Sequence, residues 1–327
     1  MKTNKRTKYA VIVLAVIFII TAALLILELW ERHNDQFSPV DSGDGTLTYE
    51  GNDYVPKTGI ETFLVLGVDK FHGSATADSH ESGVQTDFIM VLVFDNEAET
   101  FTALSINRDT MVSVNKLAIG GVKVDTFTKQ IALAYNYVAD DNDKIRCRNT
   151  KDSVETLLKG IKIDHYLSLT MDSVAIMNDF VGGVELTVLD DFSGIDDTLI
   201  QGEQVTLTGE QALNYVRSRY GLENSDNISR MMRQKQYINA LYEKTASLAN
   251  NDAEFTVRLV DAMDEYVVYD SSDKKMQQFA EKFDEYEFLG IKEIEGESKE
   301  GEEFMEFYPD DDSIMKNVID LFYIQKK

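Results

Sequence analysis

The sequence predicts an α/β fold: a layered α-β-α domain with a mixed central sheet, plus one N-terminal transmembrane helix. Three observations lead there. A nineteen-residue uncharged apolar run lies near the N-terminus, three short apolar runs bounded by turn residues begin at Phe63, and strand and helix patterns alternate after them.

The first element is the span. Tyr9 to Leu27 reads YAVIVLAVIFIITAALLIL, which at about 1.5 Å per residue covers roughly 28 Å of hydrocarbon. Lys2, Lys5, Arg6 and Lys8 precede it and mostly acids follow, so the N-terminus is expected in the cytoplasm and the rest outside. A cleaved signal peptide is the rival reading, but the small triplet Thr21-Ala22-Ala23 sits inside the apolar run rather than after it. The expected organisation is a cytoplasmic tail (1–8), an anchor (9–29), a polar extracytoplasmic stalk with Pro39 and Pro56 (30–58) and one domain (59–327), placing the protein at the cell membrane with its domain outside.

Within that domain Phe63–Val68, Phe88–Phe94 and Phe101–Ile106 read as buried strands. Helical patterns follow at about 127–139, 151–159 and 171–180, then a strand near Val184–Leu189. Thr208 with Gln211 three residues on is a capping box opening a helix through Arg217, and a longer helix runs from about 229 to 249. Beyond Asn250 the pattern weakens, without a linker or an internal repeat.

Composition narrows the function. There are 32 Lys and Arg against 57 Asp and Glu, a net charge of −25. After residue 32 the imbalance is 27 bases against 55 acids, net −28, so nucleic acid is not an expected partner. Cys147 is the only cysteine, which forbids an internal disulfide and a Cys-rich zinc site. Between Arg146 and Arg148 it reads either as a reactive or as an inert thiol.

Chemistry concentrates at the element ends. Asp69 follows the first strand and Asp87 precedes the second, so adjacent strands would bring together two carboxylates able to hold a hard cation such as Mg2+ with a phosphate. Spacing alone leaves a second reading, in which each caps a turn. Asn107-Arg108-Asp109 ends the third strand, at the edge where open α/β sheets bind ligands. Arg217 and Arg219 close one helix, and Arg230 and Arg233 open the next at i and i+3. Five Arg at loop-facing ends suit a phosphate, which guanidinium grips with a planar fork of donors; the bland alternative is pairing with surplus surface acids.

Five runs taken together, Phe63-Leu64-Val65-Leu66-Gly67-Val68-Asp69, Thr86-Asp87-Phe88-Ile89-Met90, Ser105-Ile106-Asn107-Arg108-Asp109, the stretch Leu207 to Arg219, and Arg230-Met231-Met232-Arg233-Gln234, resemble the LytR-CpsA-Psr family. Ile163-Asp164-His165-Tyr166 and Val181-Gly182-Gly183-Val184 are similar to further landmarks of it. The resemblance implies a membrane-anchored phosphotransferase that moves a glycopolymer, such as teichoic acid or capsule, from a polyprenyl-diphosphate carrier onto peptidoglycan. It implies Asp69 and Asp87 as Mg2+ ligands, and Arg108, Arg217, Arg219, Arg230, Arg233, Gln234 and Gln85 as head-group contacts. Arg108, Asp109 and Asp87 would carry the catalysis, with Asp109 orienting Arg108 or acting as a base.

Three positions depart from the family pattern: Gln85 stands where Arg is common, Asn107 where proline is usual, and Asn227 where an Asp is placed, with Asp226 one step earlier as the substitute. These departures motivate the alternative of a catalytically weakened diphosphate- or wall-binding protein of the same fold. Met231, Met232, Phe180 and Phe127 read as lining for a lipid tunnel or as ordinary core.

Overall fold

The computed structural model describes residues 45–70, 84–218, 227–249, 251–252, 254–302 and 304–326. The expected tail and span lie outside the described residues, as do Arg219 and Asp226. Among the described residues no helix is long and apolar enough to cross a membrane. The chain divides into two units, one made of the residues before Lys57 with the end from Gln325, the other of Lys57–Ile324.

In the first unit, part of the expected stalk is a hairpin. Strands β1 (Leu47–Tyr49) and β2 (Asn52–Pro56) pair antiparallel with Tyr49 opposite Asn52. The two loop residues, Glu50 and Gly51, have φ of 48° and 77°, the primed turn whose twist matches two strands. A Glu at a left-handed position is a poor turn signal, which is why the sequence read as a polar stalk.

The second unit is built on a six-stranded mixed sheet. Its strands are β3 (Ile60–Val68), β4 (Thr86–Asp95), β5 (Thr100–Ser105), β8 (His165–Leu169), β11 (Val267–Tyr269) and β12 (Glu287–Glu293), in the order β11-β8-β3-β4-β5-β12. The pairs β8–β3 and β5–β12 are parallel and the others antiparallel. Strands β3, β4 and β5 are the three apolar runs, and both their faces are covered. Leu64, Leu66, Ile89, Val91 and Leu104 pack with Cys147 and Val154 of helix α1 (Asp143–Leu157) and Val318 of α7 (Asp311–Phe322). Phe63, Met90, Leu92, Phe94 and Phe101 face α4 (Asn227–Ala249) and α6 (Asp273–Glu285) through Tyr242, Phe279 and Phe283. The result is three layers, α-β-α, and it explains runs without polar alternation.

A further apolar cluster joins α2 (Asp172–Phe180), α3 (Gly209–Arg217) and the short pair β9 (Glu185–Thr187) and β10 (Gln204–Thr206) around Phe192, Tyr215 and Tyr237, with α5 (Phe255–Met263) beside them. The capping box forms as expected, Gln211 N–H donating to Thr208 Oγ1 at 3.3 Å and Thr208 N–H to Gln211 Oε1 at 2.9 Å.

One expected helix is absent. Residues 127–139 divide between β7 (Lys123–Gln130), paired antiparallel with β6 (Met111–Leu117), and a 3-10 turn at Ile131–Tyr135. Alternating Val124, Thr126 and Thr128 favour the strand, and Ile131, Ala134 and Tyr135 supplied an apolar spacing that imitated a helix. The C-terminal hairpin β13 (Gly296–Glu300) and β14 (Met305–Pro309) completes the unit. Of the residues proposed as tunnel lining, Met232 is exposed and Phe180 packs against Phe255 as ordinary core.

Away from the strand ends bearing chemistry, Glu61 of β3 pairs with Lys275 and Lys282 of α6, and Lys282 also donates to Asn96 Oδ1 at 2.5 Å. Burial pushes the Glu61 carboxyl up, but the two lysines outweigh it and hold the group below its usual range. A depressed carboxylate stabilises the fold above the unfolded-state pKa and loses that contribution as pH falls through the folded value. Glu61→Gln is therefore expected to lower stability near neutrality by about 1 kcal/mol, with the difference from wild type vanishing in acid; thermal melts across pH check this. Cys147 is fully buried and its thiol is pushed up to about 12 chiefly by desolvation. It should resist a soluble thiol reagent in the native protein and react stoichiometrically after denaturation.

Candidate functional site

The site assembles at one edge of the sheet, where the antiparallel β4 begins beside the ends of β3 and β5. Asp69 directly follows β3, and its backbone N–H donates to Gln85 O at 2.9 Å. Between the pairs Gly67↔Phe88 and Val68↔Thr86 the register slips by one, so Asp87 is the extra residue of a β-bulge. Gly67 permits this: a Cβ there would stand 2.8 Å from the Cβ of Phe88. A bulge re-aims its side chain, and here it delivers a carboxylate to two guanidiniums.

Asp87 Oδ1 pairs with Arg108 and Asp87 Oδ2 with Arg230 Nη1 at 3.0 Å. Arg108 comes from the turn after β5, where Thr110 N–H donates to Asn107 O at 3.0 Å and Asp109 N–H to Asn107 Oδ1 at 2.9 Å. The Asn107 side chain thus fixes by hydrogen bonding the turn that a proline would fix by its ring. Arg108 donates its second terminal nitrogen to Gln85 Oε1, and its Nε lies 3.5 Å from Asp109 Oδ1. Arg230, in the first turn of α4, is 1% exposed and also donates to Asn227 Oδ1 at 2.6 Å. Asn227 Nδ2 donates in turn to Asn107 Oδ1 at 2.6 Å. Gln85, Asn107 and Asn227 therefore stand in one hydrogen-bonded network with both arginines.

Arg217, the last residue of α3, reaches Asp69 Oδ1 at 3.5 Å and is the more accessible cation, its side chain 28% exposed. Arg233 is placed otherwise. It is fully buried over the Phe192 ring at 5.3 Å, with Nε 3.4 Å from Asp190 Oδ2 and Nη2 donating to Ser218 O, so its described contacts tie α4 to the end of α3. Gln234 Nε2 donates to Val216 O at 3.2 Å, the same kind of tie.

Gln130 was not singled out by sequence reasoning. It ends β7, is buried, and its Nε2 bridges Asp109 Oδ1 at 3.0 Å and Met305 O at 2.6 Å. Phe307 N–H donates to Asp109 O at 2.9 Å, so the C-terminal hairpin backs the Arg108-Asp109 turn. No motif marks Gln130, because its role depends on a strand read as helix and on a hairpin far along the chain.

For a metal, the donor set is of the right kind. Asp69 and Asp87 offer hard oxygens on neighbouring strand ends, which suits a Mg2+ that keeps waters and shares a phosphate. Both carboxylates are already matched by guanidiniums. A doubly negative group arriving here would compete with Asp87 for the same donors.

The class is settled by comparison. Residues 32–319 match the model of the LytR_cpsA_psr family, and the chain belongs to it. It is 29% identical over 205 residues to the cell wall biosynthesis protein LcpA of Corynebacterium glutamicum, covering 58% of this chain and 39% of that protein. It is 30% identical over 195 residues to the polyisoprenyl-teichoic acid–peptidoglycan teichoic acid transferase TagV of Bacillus subtilis, covering 58% of this chain and 44% of that one. The chain thus spans less than half the length of these two relatives. The crystal structure of B. subtilis TagV shares the fold, with TM-score 0.59 at 24% identity over 81% of this chain and 96% of that one.

Asp87→Asn removes the carboxylate charge between two buried arginines. It is expected to destabilise the free protein by roughly 3 kcal/mol and to enlarge the stabilisation that inorganic pyrophosphate gives without Mg2+. Thermal shift with and without pyrophosphate checks both signs.

Proposed function

We propose that this chain is a membrane-anchored phosphotransferase that moves a glycopolymer from a polyprenyl-diphosphate carrier onto peptidoglycan. The observation that carries the reading is the convergence of Arg108 and Arg230 on the two oxygens of one bulged aspartate, beside Arg217 on Asp69. The names of the relatives, a teichoic acid transferase and a cell wall biosynthesis protein, support a wall polymer as cargo. Tyr9–Leu27 supplies the anchor in this reading, with the folded part outside the membrane.

In the reaction, the acceptor hydroxyl attacks the phosphorus next to the glycan. The bridging P–O bond breaks, polyprenyl phosphate leaves and takes up the hydroxyl's proton, and a phosphodiester joins glycan to wall. Such transfer asks the protein for positioning and charge stabilisation more than for covalent chemistry. Arg108 and Arg230 would exchange Asp87 for diphosphate oxygens, and Arg217, the most exposed of these three, would meet the incoming head group. Mg2+, held by Asp69 and Asp87, would offset charge on the phosphate oxygens when bound. Asp109, fixed by Gln130 and facing Arg108 Nε, fits the orienting role.

The second reading, a diphosphate binder with weakened chemistry, rests on the neutral Gln85 and Asn227. Full-length protein in detergent, given a labelled diphospholipid glycan, peptidoglycan oligomers and Mg2+, should transfer label, and Arg108→Ala should reduce the rate about 100-fold or more. Binding of the donor by wild type without turnover would decide for the binder.

A further inference from the structure

The hairpin of β6 and β7 carries a surface the site does not use. Ile119, Val122 and Val124 are 77%, 62% and 57% exposed, and Phe127 is 37% exposed, all within one loop and its following strand. Lys116, Lys123 and Lys129 are exposed on the same hairpin, and Lys144 and Arg148 on α1. Leu117, Val138 and Ile145 pack together, and Asn149 Nδ2 donates to Asn115 O at 2.9 Å, so hairpin and helix form one rigid corner.

The charge of that corner is opposite to the rest. Residues 111–151 hold seven Lys and Arg against four Asp, net +3, whereas the other residues after position 32 hold 20 bases against 51 acids, net −31. Lys116, Lys123, Lys129 and Lys144 make no ion pair with any described residue, although acids are in large surplus. A polyanionic chain would use the lysines and leave the aliphatic tip wet. A protein partner built for the tip would not need a cationic ring in so acidic a molecule. An anionic bilayer takes both, phosphates meeting the lysines while short apolar side chains enter the headgroup boundary.

We propose that the β6–β7 hairpin tip docks on an anionic phospholipid surface. Because β6 starts one residue after the Asn107–Thr110 turn, docking would also hold the Arg108 turn at a fixed attitude to the bilayer.

The test uses the full chain in vesicles containing spin-labelled quencher lipid. An environment-sensitive fluorophore is attached at Ile119→Cys, or at Leu289→Cys as a control that is 59% exposed on β12, Cys147 being buried. With phosphatidylglycerol present, the label at 119 should be quenched and blue-shifted and the label at 289 should not. Lys116→Gln and Lys123→Gln should each lower the docked-to-free ratio about fivefold. Equal quenching at both positions, or quenching at 119 that persists unchanged in purely zwitterionic vesicles, overturns the proposal. So does lysine-dependent binding of inorganic polyphosphate with no quenching in anionic vesicles, which would assign the surface to a polymer.

Discussion

The site depends on a single carboxylate shared by two guanidiniums. Arg108 and Arg230 come from a strand-end turn and a helix start more than a hundred residues apart in the chain, and Asp87 takes one with each oxygen. Two cations buried to 7% and 1% exposure repel each other and lack water, so without a shared anion neither would hold its place. With it, α4 is seated against the sheet edge, and the residues around the pair become ordered in turn: Gln85 and Asp109 on one arginine, Asn227 on the other, with Asn107 held by Asn227 behind it.

That arrangement makes sense of the neutral residues. Gln85 and Asn227 are neutral amides, so neither adds a charge to the cluster of Asp87, Arg108 and Arg230. Both amides accept from the two arginines, and Asn227 additionally donates to Asn107. Gln85, Asn107 and Asn227 are thus three members of one interaction set.

Much of this was legible in the sequence where a strand both begins and ends in view. Asp69, Asp87 and Arg108 flank uninterrupted apolar runs, and the Thr208 capping box locates Arg217 on its helix. Residues whose partners are remote were not legible. Asn107 and Asn227 meet across 120 positions, and Gln130 reaches Met305 across 175. Arg230 and Arg233 share spacing but part company, because half-buried Asp190 and the Phe192 ring claim the second. Past Asn250 the strand β12 joins the sheet only as a half-exposed edge beside β5, so it carries no buried run to announce it.

The bulge at Asp87 sets apart what the sheet requires from what the ligand requires. Val68 faces Thr86 and Gly67 faces Phe88 on either side of it, so the ladder would close without the intervening residue. That position is supernumerary to the architecture: a chain one residue shorter there could keep every strand partnership and still forfeit the anion between its two arginines.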